Sequence, residues 1–85
     1  MSTLPEMAKR IGDLANTRAT EAQRYELNKY FGEWELLLGS AVWIALGHGL
    51  ELPLEMLEFS DPYDVASDDV SEAIKAHFAE RGITA

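Results

Sequence analysis

"FGEWELLLGSAVWIALGHGL", residues 31–50, is the most apolar stretch of this 85-residue chain, and its placement decides the fold. Its uninterrupted uncharged run, Leu36 to Gly47, is twelve residues long, with Glu35 before it and three glycines near its ends. A membrane span needs about 20 predominantly apolar residues, so this run predicts a helix buried in a soluble protein. At 100° per residue, Leu27, Tyr30, Phe31, Trp34, Leu37, Leu38, Ala41, Ala45 and His48 fall on one side. Opposite lie Tyr25, Lys29, Gly32, Leu36, Gly39, Ser40, Trp43, Leu46 and Leu50. The expected helix therefore begins near Thr20, is one-faced to about Glu35 and apolar all round beyond it. Gly39-Ser40 is a candidate kink or break, and Gly47-His48-Gly49 with Pro53 beyond marks the end.

A helix that is apolar all round belongs in the middle of a bundle. Two shorter helices are predicted to flank it. Thr3 and Glu6 form a capping box with Pro5 in the first turn, and Leu4, Met7, Ala8, Ile11, Leu14 and Ala15 make one apolar stripe. That predicts a helix over Leu4–Asn16, with a second capping box at Thr20 and Gln23. At the other end, Ser67 caps a helix whose first turn holds Asp68, Asp69 and Glu72 and whose stripe is Val70, Ala73, Ile74, His77 and Phe78. Residues 52–59 read as a short helical turn and 60–68 as a loop with at most one turn. The expected class is all-α: one domain over 1–85, a small bundle of three to four helices with a long central apolar helix.

The first helix is expected to cover the Trp34 side and the last helix the Trp43 side. The last helix offers modest cover, so Leu36, Trp43, Leu46 and Leu50 are a candidate subunit interface as well as candidate core. Core is the favoured reading, because a chain this short has few other ways to bury enough apolar surface. On that reading Trp43→Glu unfolds the protein, and Trp34 is a buried anchor.

Charge is segregated along the chain. The net charge is −8; residues 1–29 hold five basic and four acidic side chains, and no lysine or arginine occurs from Tyr30 to Ile74. Within that span stand Glu51, Glu55, Glu58, Asp61, Asp64, Asp68, Asp69 and Glu72. An acidic surface disfavours direct nucleic-acid binding and attachment to anionic membranes. One-sign fields steer association with a basic partner, so these eight residues are the candidate partner-binding face.

Nothing in the sequence points to catalysis, a metal or a cofactor. Cysteine is absent, which removes disulfides and thiolate ligands and suits a reducing cytoplasm. The N-terminus lacks the apolar core of a secretory signal. His48 and His77 stand alone without a metal-binding spacing, and 61–72 lacks the pattern of a calcium loop. Gly47-x-Gly49 ends a helix rather than opening one, so it is no phosphate cradle.

"KYFGEWELLL" (29–38), "LELPLEML" (50–57) and "DVSEAIKAHF" (69–78) loosely resemble acyl and peptidyl carrier proteins. That family holds its phosphopantetheine arm on a serine at the start of the second long helix. Here the corresponding place reads Lys29-Tyr30-Phe31, without a serine. In size, acidity and lack of catalytic motif the chain also resembles, at the level of class, phage-encoded inhibitors of host or defence machinery, anti-CRISPR proteins among them. The expected function is a non-enzymatic inhibitor or adaptor, a monomer or homodimer, whose acidic face docks on a basic protein surface as a nucleic-acid mimic. The alternatives are a carrier-like subunit of a metabolic assembly and an antitoxin-like homodimer.

Overall fold

Five α-helices and one 3₁₀ helix make up the computed structural model, which describes residues 2–83. The first helix, α1, runs Leu4–Asn16 behind the expected capping box: Thr3 Oγ1 accepts from the Glu6 N–H, and the Glu6 side chain accepts from the Thr3 N–H. The same reciprocal pair, Thr20 with Gln23, opens α2 (Glu21–Lys29). Both boxes satisfy amides that the first helical turn leaves free.

The long central helix is a correction. The chain leaves helical geometry after Lys29 and re-enters it at Trp34, so α3 is Trp34–Gly47, 14 residues, apart from α2. Gly32 sits at φ +98, a conformation open to glycine and strained for other residues, and the Glu33 N–H closes a turn onto the Tyr30 carbonyl. The apolar wheel drawn through residues 27–48 is therefore broken. Phe31 is 63% exposed at the turn, and Trp34 is only half-buried, edge-on to Phe31 with the Lys9 ammonium over its ring.

The other candidate break does not occur. Gly39-Ser40 lies inside continuous helix, and Gly39 has a packing role instead. A Cβ built on Gly39 would overlap the Val65 carbonyl oxygen of α4 (Pro62–Val65). The glycine is what lets α4 lie directly on α3. The single turn of α4 is capped by Asp61, whose carboxylate accepts from the Tyr63 N–H, and ends at Ala66 in the left-handed region at φ 55. Ser67 then caps α5 (Asp68–Ala79) through the Val70 N–H. Before α4, a 3₁₀ helix spans Leu54–Phe59 and buries Met56 and Phe59.

One contiguous core joins these elements, with α3 at its centre touching all four other α-helices and α1 most extensively. Met7, Ala8 and Ile11 of α1 meet Leu38, Ala41, Val42 and Ala45 of α3, all without solvent exposure. Each large side chain buried in this way stabilises by about 1.5–3 kcal/mol. Leu27 alone anchors α2 in the core. The radius of gyration, 11.6 Å, matches the roughly 12 Å of a compact chain this long.

Two polar ties hold α5 to the rest. The Ser71 hydroxyl donates to the Ser60 carbonyl, and the Leu52 N–H donates to His77 Nε2 at 3.2 Å. The second tie requires neutral imidazole with Nε2 unprotonated. Burial lowers the His77 pKa, and the neighbouring Arg81 guanidinium lowers it further against the opposing pull of Glu51 and Glu80. Protons then bind the unfolded chain before the folded one. The His77 contribution to stability is full above the ordinary histidine pKa of about 6.5 and falls as pH drops below it towards the folded value. Asp64, whose pKa is raised, contributes with the opposite sign at lower pH. Denaturation midpoints measured between pH 8 and 5 should fall through this window, and His77→Gln should flatten the slope. An equal slope in the variant would remove His77 from the account.

Candidate docking surface

The structure divides the eight acidic residues. Two are neutralised by cations from outside the segment, which the sequence shows only at long separation. Glu51 makes a bidentate pair with Arg81, both N···O distances 2.6 Å, across 30 residues of sequence. That pairing holds the Glu51 carboxyl below its ordinary range. Glu55 stands 3.7 Å from Arg10 on α1. The other six, Glu58, Asp61, Asp64, Asp68, Asp69 and Glu72, have no ion pair among the described residues. Of the eight expected acidic residues, these six carry charge without a paired cation, and Glu51 and Glu55 are exposed but paired.

Asp64 shows how closely some of these charges crowd. Its pKa is raised, first by partial burial and then by the negative fields of Asp61 and Glu35. Like charges gathered without a cation oppose folding. Glu35, the residue before Leu36, thus joins the acidic surface, although the sequence reading had not included it.

The four candidate interface residues lie along one open seam between α3 and α5. Leu36, Ser40 and Trp43 line a shallow groove with Val65 and Val70, and Glu26 stands at its edge. Leu46 and Leu50 line an adjoining groove with Ala73, Ala76 and Glu80. Trp43 and Val70 are each three residues from Leu46 and Ala73, so the two hollows follow each other along the same pair of helices. Intramolecular cover of the Trp43 side, the favoured expectation, is incomplete: Leu46 and Leu50 are half-buried against the core, whereas Trp43 is 58% exposed and Leu36 40%. The reason is geometric. Gly39 admits the α4 backbone onto α3, and α5 touches α3 only sparsely.

Tyr63 was missed by the sequence reading. It is 89% exposed on α4, where it lines a hollow with Pro62, Ser67 and Asp68. A tyrosine in a predicted loop carries no burial signal of its own. Lys9, Arg24 and Asp13 line a separate cleft with Phe31, and their mixed charge sets it apart from the acidic seam.

No group of three or more metal-ligating side chains comes together among the described residues. His48 pairs instead with the Gln23 side chain, Nε2 to Oε1 at 3.0 Å, and so ties the end of α3 to the start of α2. Ser40 stands inside α3 rather than at a helix start. No helix among the described residues is long and apolar enough to cross a membrane. No family model, curated protein or solved structure matches this chain.

Proposed function

We propose that this chain is a non-enzymatic protein-binding module of the inhibitor or adaptor kind, acting in the cytoplasm on a partner with a basic surface. One observation carries the reading. Large apolar side chains, Trp43, Leu36 and Tyr63, are exposed beside carboxylates such as Glu26 and Asp68 that have no ion pair among the described residues. Solubility alone calls for dispersed charge and few exposed aromatics. Exposed anchors beside one-sign charge suit an interface, in which buried aromatics supply affinity and charge supplies encounter rate and register. Within this class the reading is an inhibitor whose carboxylates occupy a basic groove otherwise open to nucleic acid.

The test is charge reversal. Replacing the exposed Glu58, Asp69 and Glu72 with lysine should abolish capture of the partner from host lysate at low salt and leave the helical circular dichroism intact. Wild-type capture should weaken steeply as salt rises. Capture unchanged by the reversal would reduce these carboxylates to a solubility device.

A further inference from the structure

The seam between α3 and α5 has a definite shape, and we infer that it receives a basic amphipathic helix of the partner protein. The inference rests on the docking function proposed above and names what is docked. From Leu36 to Leu46 the α3 wall extends roughly 15 Å, close to three helical turns, and Leu50 lies just beyond the helix end. Its residues Leu36, Ser40, Trp43 and Leu46 stand about one turn apart, the spacing at which an incoming helix presents its i, i+3, i+4 and i+7 anchors. The opposite wall, from α5, offers Val70, Ala73 and Ala76. Small side chains there allow a third helix axis to approach to about 8–10 Å. A strand has no comparable place to add, because the described residues contain no sheet edge.

Charge selects among occupants. Glu26 and Glu80 stand on the walls, and Glu35 flanks Leu36. Among the described residues Arg81 is the one arginine or lysine lining the seam, and it is shared between Glu51 at 2.6 Å and Glu80 at 3.8 Å, which leaves that group of three with a net negative charge. An isologous pair of these chains would set the carboxylates of one copy against those of the other, which is repulsive. A helix with lysine or arginine flanking its apolar stripe meets complementary charge on both sides, and so a second copy is disfavoured.

The experiment uses the whole protein and three acetylated, amidated 14-residue peptides. The first contains leucine and lysine only, with leucines at helical spacing. The second has the same composition with leucine and lysine alternating, and the third has every lysine of the first replaced by glutamate. Binding is read by amide chemical shifts in the isotope-labelled protein. The expected result is that the first peptide binds at least tenfold more tightly than the second, shifts Trp43, Ala73 and Ala76, and that the third does not bind. Equal affinity for the first two would overturn the helix assignment and leave the acidic docking surface standing. No binding of either basic peptide at low salt, or equal binding of the third, would overturn both. A stable dimer that the first peptide fails to dissociate would give the seam to a second copy.

Discussion

Gly39→Ala should destabilise the protein by about 2–3 kcal/mol, although alanine is the better helix former by about 1 kcal/mol. The new methyl group has no free space, because it overlaps the Val65 carbonyl oxygen, which belongs to the backbone and cannot swing aside. Either α4 lifts from α3 or the helix bends, and both disturb the packing of Val65, which is 1% exposed. A chain of this length has roughly 4–13 kcal/mol of total stability, so the loss is a large share. Gly12→Ala is the matched control. Gly12 lies inside α1 with nothing within 4 Å of a built Cβ, so that change should stabilise by about 0.5–1 kcal/mol. Urea denaturation of the two variants should displace the midpoint in opposite directions. A stabilised Gly39→Ala protein would show that α4 does not rest on α3 as described.

Those two glycines also show where sequence reading stops. Both stand inside helices amid apolar spacing, and nothing local distinguishes them. What differs is the element packed on top, a tertiary fact. By contrast, Thr3 with Glu6 and Thr20 with Gln23 carry their own structural meaning within four residues, so both helix starts were legible. Ser67 and the α5 stripe were legible for the same reason. The break at Gly32 was not, because a one-sided apolar pattern on either side of a turn can mimic a continuous wheel. The glycine there needed positive φ, but glycines at 39 and 47 offered equally good breaks by composition.

The docking surface was legible in part. Asp68 and Asp69 had to be exposed, since they sit in the first turn of a helix capped by Ser67. The neutralisation of Glu51 by Arg81 could not be read across 30 residues. The side of α3 left open could not be read either. Its apolar residues surround the helix, so periodicity carries no sign of which side the neighbours cover.

Trp43 is therefore the residue on which the proposal turns. It is the largest side chain on the seam, and its exposure leaves room for an anchoring contact without any demand from the core. Tryptophans at the centre of interfaces commonly contribute 2 kcal/mol or more on truncation, about thirtyfold in affinity. A glutamate there would face solvent in the unbound protein, in the same groove as Glu26. In the complex it would bury a carboxylate in an apolar contact.

The most direct measurement is thermal unfolding and sedimentation of Trp43→Glu, paired with its affinity for the helical leucine–lysine peptide. A folded monomer melting within a few degrees of wild type, with peptide affinity reduced about thirtyfold or more, is the predicted outcome. An unfolded variant would mean that the Trp43 side is core, and a folded variant that binds the peptide as well as wild type would mean that the seam is not the docking surface.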